Sequence, residues 1–289
     1  MKQLSIRVVV DSASDIPWEF ADKYGVKVVP LTISYNDKSF KENREFDLAA
    51  HYNNYEKNSN FLPKTAQPSP KEYVTIYNEL AKEGAKDIIV VCISSAMSGT
   101  MNSARLAVDF VKDTYPEVRI HLIDSKNASF TEVFLVEEAI TMIKKGAKVE
   151  KIVSRLNEMV PLLKTYIYIP NLKYLYLGGR INIAKYLLAR LLRKKVITRV
   201  NEKGTNETAA KVSNIDQGFK KMLQLTTKKF TEFPRKYAIV HANNIELANK
   251  LKELLLEKDP KAKLQIILTK CTISTHTGPN AVALLSDFG

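Results

Sequence analysis

Ile88-Ile89-Val90-Val91-Cys92-Ile93-Ser94-Ser95-Ala96-Met97-Ser98-Gly99-Thr100 is the stretch on which the reading of the fold turns. Its first half is an unbroken apolar run, the pattern of a strand buried on both faces. Its second half is a serine-rich loop leading into a further helix. Upstream, Tyr73, Ile76, Tyr77 and Leu80 recur at helical spacing between Pro70 and Gly84, and glycine suits the stop. Downstream, Arg119 to Ile123 repeats the strand pattern, and Asp124-Ser125 leads into a helix from about Ser129 to Lys145. At the start of the chain, Leu4 to Val10 reads as a buried strand ending at Asp11, followed by a helix opened by Pro17 and closed at Gly25. Val26 to Val29 and Leu31 to Tyr35 read as further strands. Such alternation implies crossover units on a parallel sheet, with ligands bound at the carboxyl ends of the strands. The serine-rich and aspartate-bearing loops fall at those ends.

The pattern changes beyond the helix near Val149 to Leu163. Thr165 to Pro170 reads as a strand ended by proline. The order then becomes mixed: a helix from Asn182 to Lys194, two short strands flanking Gly204, a helix from about Ile215, a strand Tyr237 to His241, another helix, and a strand Leu264 to Thr269. The fold class expected is therefore α/β in two lobes. An N-terminal parallel-sheet α/β domain covers residues 1–163, and a smaller C-terminal α+β domain covers residues 164–289. With no repeat and no Gly/Ser linker, the lobes are expected in firm contact, and a cleft between them would suit a ligand.

Composition narrows the function classes. Of 289 residues, 45% are hydrophobic and 26% charged, the proportions of a folded globule and not of a disordered chain. No apolar stretch has the length of a membrane span, and the N-terminal run is too short and too soon charged for a signal peptide. Cys92 and Cys271, each within an apolar run, offer no disulfide framework. A soluble cytoplasmic protein is expected. The net charge of +13 would draw anionic partners over long range, but the lysines are dispersed among glutamates, with neither a recognised nucleic-acid module nor an aromatic-basic stripe. No nucleic-acid partner is expected.

Several chemistries are excluded by absence. No two of the ten glycines stand as Gly-x-Gly and no Gly-Lys occurs, which removes the dinucleotide fingerprint, the kinase glycine loop and the Walker loop. His51, His121, His241 and His276 lie far apart in sequence, so neither a metal site nor a cofactor is expected. The loop at Ser98 has Ala96 and Thr100 where a hydrolase nucleophile elbow needs glycine.

Three polar stretches remain. Thr65-Ala66-Gln67-Pro68-Ser69-Pro70 makes an extended approach in which Ser69 can cap the helix at Pro70. Ser94 to Thr100 offers hydroxyls and helix N-terminal amides as a cradle for a carboxylate or phosphate. Thr275-His276-Thr277-Gly278-Pro279-Asn280 reads as a turn holding a histidine beside Gly-Pro. Together with Val10 to Pro17, Asp124-Ser125 and Leu177-Gly178-Gly179-Arg180-Ile181, these stretches resemble, in order along almost the whole chain, the DegV family of bacterial fatty-acid-binding proteins.

That resemblance implies a long-chain fatty acid buried between two lobes, its carboxylate held by Thr65, Ser98 and His276, with Ser95 as a neighbour. It implies a binding subunit, not a catalyst, that offers its lipid to a separate fatty acid kinase making an acyl phosphate for phospholipid synthesis. Gly278, in the turn beside His276, is expected at the ligand as well, Ser129 opens a segment near the pocket, and Arg180 either pairs with a core carboxylate or faces the head group. Departures from the family pattern are Thr131 and Val133 in place of two glycines, Asn280 after Gly278-Pro279, Ala66 for a serine, and Ser213 where an arginine is usual. The segment Ile183 to Val196 mixes Leu187, Leu188, Leu191 and Leu192 with basic residues. It is an amphipathic helix covering the core or a lid making transient contact with anionic membrane. The competing reading is a serine-dependent esterase or acyl transferase using Ser98 and His276. Asp11 and Asp124 are expected to cap backbone amides, with no catalytic role.

Overall fold

The computed structural model describes residues 5–58, 60–181, 195–227, 233–234 and 236–289. The strands β1 (Ile6–Asp11), β2 (Lys27–Val29), β6 (Asp87–Cys92) and β7 (Arg119–Asp124) form a parallel sheet in the order β2-β1-β6-β7. Every residue of β6 is buried, as its unbroken apolar run requires. A small antiparallel sheet, β4-β3-β5, is made from β3 (Thr32–Tyr35), β4 (Lys38–Lys41) and β5 (Lys64–Ala66). The second large sheet runs β10-β9-β8-β13-β11-β12 and is mixed. Its members are β8 (Leu163–Ile169), β9 (Lys195–Val200), β10 (Asn206–Val212), β11 (Lys236–His241), β12 (Leu264–Leu268) and β13 (Val282–Asp287). Only β11 and β12 are paired in parallel there.

The helices fill the layers around these sheets. In chain order they are α1 (Trp18–Tyr24), α2 (Leu48–Lys57), α3 (Pro70–Lys82), α4 (Thr100–Lys112), α5 (Thr131–Lys144), α6 (Val149–Met159), α7 (Lys173–Leu177), α8 (Ile215–Thr227), α9 (Ile245–Lys258) and α10 (Cys271–Thr277). Tyr73, Tyr77 and Leu80 of α3 and Ala104 and Ala107 of α4 cover Val9, Ile88 and Val90 on one face of the parallel sheet. On its other face Val8, Val10, Ile89 and Val91 meet Val133, Phe134 and Val136 of α5. The same cluster continues into Val240, Ala283 and Leu285 of the second sheet, so α5 is sandwiched between the two sheets. Phe219 and Met222 of α8 with Leu251 and Leu255 of α9 close the far face. The apolar core is continuous through both halves, the arrangement expected when no linker separates them.

Differences from the sequence reading are local. β4, β5 and α2 carry no sequence signal strong enough to be read; β13, whose run Val282 to Leu285 is apolar throughout, is a buried strand that the sequence reading missed. The expected turn at Thr275 is instead the last turn of α10, closed by Gly278 at φ 74°. That segment, Cys-Thr-Ile-Ser-Thr-His-Thr, is rich in β-branched and hydroxyl residues of poor helix propensity, and packing overrides propensity. The expected helix Asn182 to Lys194 and most of the amphipathic segment Ile183 to Val196 lie outside the described residues; its last two residues, Lys195 and Val196, open β9. Among the described residues no helix is long and apolar enough to cross a membrane.

Of the departures, Thr131 donates its hydroxyl to the Ala128 carbonyl at 2.8 Å and Val133 is fully buried. Asn280 takes the left-handed backbone a glycine would otherwise hold, at φ 62°, and accepts from Asn244 Nδ2 at 2.7 Å. Ala66 is exposed. Ser213 is exposed too, and its backbone N–H donates to Gln217 Oε1 at 2.7 Å.

Candidate ligand-binding site

The parallel strands and the loops after them set up one wall of an interior cavity. Asp11, at the end of β1, accepts from the backbone N–H groups of Ala13 at 3.0 Å and Ile93 at 2.8 Å, joining the loops after β1 and β6. Asp124, at the end of β7, accepts from the amides of Ser95 and Lys126. Both aspartates thus hold loops, the role expected of them. Burial raises the Asp11 carboxyl to about 7.

The cavity and its mouth hold about 840 Å³ of space between atoms, open solvent included. Its walls are mainly apolar, with Leu31, Ile93, Ile167, Val240, Ala283 and Leu285 drawn from both large sheets and the loops around them. Thr65, Ser98, Arg180 and His276 also line it. Thr65 on β5 and His276 on α10, separated by 211 residues in sequence, meet with Oγ1 and Nε2 2.8 Å apart. The first residue of the pair is brought by the small sheet. The second is brought by the helix that sequence reading took for a turn.

Two glycines make this approach possible. A Cβ on Gly178 would lie 2.2 Å from His276 Nδ1, so only glycine lets the imidazole rest there. A Cβ on Gly99 would lie 2.5 Å from the Gln67 amide, so the loop of Ser98 packs directly on the segment following Thr65. Gly278 does not line the cavity; it takes a left-handed backbone and lies against the Tyr174 ring, which a Cβ would meet at 2.2 Å. It acts on the site by seating α7 against the end of α10.

Burial and the neighbouring Arg180 charge push His276 down to about 3, so its imidazole is neutral at physiological pH. Its Nδ1 is buried without a hydrogen-bond partner among the described residues. Arg180 is half-buried, donating Nε–H to the Met97 carbonyl at 3.2 Å and Nη1–H to the Gly178 carbonyl. Among the described residues no carboxylate pairs with it. Of the two alternatives open for Arg180, the described residues offer no core carboxylate, and its residue borders the cavity. Ser98 Oγ lies 2.8 Å from Thr100 Oγ1. A hydroxyl cluster, a neutral imidazole and an unpaired guanidinium together offer donors and net positive potential, the requirements for holding a carboxylate away from water.

The remaining expected site residues are placed differently. Ser95 is exposed, outside the cavity lining, with Oγ donating to Asp124 Oδ2 at 2.5 Å. Ser129 borders the cavity in a left-handed backbone at φ 63°, but its hydroxyl is donated to the buried Asp15. The cradle expected from Ser94 to Thr100 loses most of its amides. Those of Ala96 and Thr100 go to serine oxygens and those of Met97 and Ser98 to the Ser94 carbonyl, so hydroxyls are what this loop can offer. The hydrolase alternative needs a Ser98–His276 pair. His276 is paired with Thr65, and Ser98 with Thr100. Sequence reading missed Asn206, His241, Thr269 and Thr272 in the lining, because each stands at a strand end or helix start whose facing partner is remote.

A surface hollow lined by Leu62, Lys64, Leu177 and Gly178 opens over the same cluster and shares Thr65, Arg180 and His276 with the interior cavity. The polar group therefore stands between an enclosed apolar space and the outside. Leu62 and Leu177, on its rim, are 40% and 52% exposed, which leaves apolar surface beside the polar opening. Among the described residues no group of three or more His, Cys, Asp or Glu is placed to hold a metal ion.

Fold and cavity together define a class: a mixed α/β protein with an internal apolar chamber closed at one end by a polar cluster. The chain belongs to the DegV family, whose model, described as an uncharacterised protein family, matches residues 5–287. It is 30% identical over 285 residues to Protein DegV of Bacillus subtilis, covering 97% of this chain and 98% of the relative. A protein of Thermotoga maritima described as revealing a fatty acid binding function is similar in structure, with TM-score 0.84, 25% identity and coverage of 98% and 99% of the two chains. The Fatty Acid Kinase (Fak) B3 protein of Streptococcus pneumoniae, loaded with linoleic acid, shares the fold with TM-score 0.85 at 23% identity over 98% and 99%.

Proposed function

We propose that this chain binds one long-chain fatty acid, with the tail in the interior cavity and the carboxylate at Thr65, Ser98, His276 and Arg180. The observation that carries this reading is the pairing of Thr65 with His276 at one boundary of an otherwise apolar chamber. The tail supplies most of the affinity: at about 0.8 kcal/mol per buried methylene, about fifteen methylenes contribute roughly 12 kcal/mol before ordering costs. The head cluster fixes orientation and holds the carboxylate beneath the surface hollow.

The chain is a non-catalytic carrier in this reading, and the pneumococcal protein's name supports a fatty acid kinase as the enzyme it serves. The kinase reaches the carboxylate through the hollow at Leu62 and Leu177 and forms an acyl phosphate there. Division of the chain between residues 163 and 164, at the start of β8, belongs to the same proposal.

Native mass spectrometry of the purified protein, followed by organic extraction, tests the reading. One fatty acid per chain is expected. A lipid-free protein that also takes up no added long-chain fatty acid would overturn it. Incubation of the loaded protein with a fatty acid kinase and ATP tests the second part, and loaded protein that never yields acyl phosphate would sink it.

A further inference from the structure

Among the described residues the three sheets have six edges, and five of them are blunted. β2 carries Lys27, β7 carries Arg119 and His121, and β4 carries Lys38 and Lys41. β5 is three residues long and begins with Lys64, and β10 carries Glu207 and Lys211 around a register shift between Thr208 and Ala210. Charge, shortness and bulges of this kind keep an edge from pairing with another chain. β12 is the exception. Its run Leu264-Gln265-Ile266-Ile267-Leu268 holds no charge, no proline and no register shift, and among the described residues it pairs only with β11.

The register fixes which backbone groups of β12 are free. Tyr237 N–H donates to the Lys263 carbonyl at 2.8 Å and Thr269 N–H to the His241 carbonyl at 3.0 Å, while Tyr237 and His241 stand opposite Leu264 and Leu268. In a parallel pair, residues bonded to the neighbouring strand alternate with residues whose N–H and C=O point away from it. Lys263, Gln265, Ile267 and Thr269 therefore face β11, and the backbone groups of Leu264, Ile266 and Leu268 point out of the edge. Ile266, Ile267 and Leu268 line a surface groove with Trp18, Arg44, Phe46 and Leu48, with about 750 Å³ of space between atoms, open solvent included. Successive strand side chains point to opposite faces, so three in a row line one groove only where it follows the edge of the strand. Leu268 is 41% exposed there.

The ends of this edge are basic. Lys261 and Lys263 precede it, both exposed and neither in an ion pair among the described residues. Lys270 follows it, with Nζ 4.0 Å from the centre of the Trp18 ring. The acids of the groove wall, Asp15 and Glu42, are buried and already accept from Thr269 and Thr272. A second copy paired antiparallel about Ile266 would set its Lys261 and Lys263 beside Lys270, and like charges disfavour that pairing.

We propose that β12 is a docking edge for an extended, acidic segment of a partner protein, which joins the second large sheet as a strand beyond β12. Its backbone pairs with Leu264, Ile266 and Leu268, apolar side chains on one of its faces enter the groove beside Trp18 and Phe46, and its carboxylates meet Lys261, Lys263 and Lys270. The net charge of +13 favours the encounter with an acidic chain. The groove shares no lining residue with the interior cavity or with the hollow over the polar cluster, so this surface stands independently of the fatty-acid reading.

The test uses the full-length protein and capped peptides of about eight residues that alternate valine with glutamate or valine with lysine. By calorimetric titration the glutamate peptide is expected to bind about tenfold more tightly than the lysine peptide at low ionic strength, with the gap closing as salt is added. The glutamate peptide N-methylated throughout keeps its side chains, lacks backbone donors and is expected to bind at least about tenfold more weakly. Lys261→Glu combined with Lys263→Glu, at two exposed positions, is expected to reverse the preference between the peptides. Hydrogen exchange reads the edge without any variant: in the free protein the amides of Ile266 and Leu268 exchange fast and those of Gln265 and Ile267 slowly, and the glutamate peptide slows the first pair. No binding of the glutamate peptide, equal binding of the two peptides, or binding indifferent to N-methylation overturns the proposal. Protection of Ile266 and Leu268 that rises with protein concentration in the absence of peptide assigns the edge to a second copy and overturns it too.

Discussion

Gly178→Ala offers a steric test of the head-group assignment. The glycine caps α7 with φ −74° and ψ −7°, a backbone that alanine adopts without strain, so any loss of apo stability reports the packing cost of moving the buried His276 ring, about 1–3 kcal/mol. The added Cβ, however, falls 2.2 Å from His276 Nδ1 and 2.9 Å from Cε1. Restoring an ordinary contact of about 3.5 Å requires a displacement of about 1.3 Å. On the ring's other nitrogen Thr65 Oγ1 is only 2.8 Å away, so the imidazole cannot retreat along that line and must swing out or expel Thr65. One hydrogen bond to a carboxylate is worth roughly 1.5–3 kcal/mol, which predicts a Kd increase of about 30-fold. The tail's roughly 12 kcal/mol gross is untouched, so lipid still binds. Titration of delipidated protein with a long-chain fatty acid, beside a thermal melt of the apo form, reads both quantities. Unchanged affinity in a variant whose crystal structure shows the ring displaced would refute the role given to His276.

Three further outcomes follow from the same structure. Ser98→Ala and His276→Ala should each weaken fatty-acid binding roughly tenfold with the melt preserved; large melting losses in both with lipid retained would make them structural residues. Gly204→Ala should destabilise the fold by about 2–3 kcal/mol in chemical denaturation, because Gly204 sits at φ 76° and an added Cβ would meet Ser94 Oγ at 2.1 Å; a loss under about 0.5 kcal/mol would contradict that packing. Burial holds the His51 imidazole down at about 4 against its ordinary 6.5, so the unfolded chain takes up the proton first. The stability His51 contributes is therefore present above pH 6.5 and is lost as pH falls towards about 4, by about 3 kcal/mol. His51→Gln, which can keep the contact with Ser274, should flatten that acid limb, and parallel pH profiles for the two proteins would count against the assignment.

The parallel sheet was legible because its signal is local. A strand covered on both faces must be apolar throughout, and Ile88 to Ile93 is; a helix covering it must repeat at 3.6, and Tyr73, Tyr77 and Leu80 do. The Ser69 cap was legible for the same reason, Glu72 lying three residues on and accepting from the Ser69 amide at 2.9 Å. The family motifs named Thr65, Ser98, Arg180 and His276 and placed none of them in space.

Placement belonged to the tertiary structure. Ser95 and Ser98 stand in one loop with the same chemistry, yet Asp124 draws Ser95 outward while Ser98 borders the cavity, a choice set by a partner 29 residues away. His276 reached Thr65 because α10 formed against the propensity of its own residues and because Gly178 left room for the ring. Its neutrality came from burial and the Arg180 charge, neither of which any window of sequence contains. Periodicity records which faces a segment buries; where two buried faces meet depends on close approach between distant backbones and on the dielectric they enclose, and these exist only once the chain has folded.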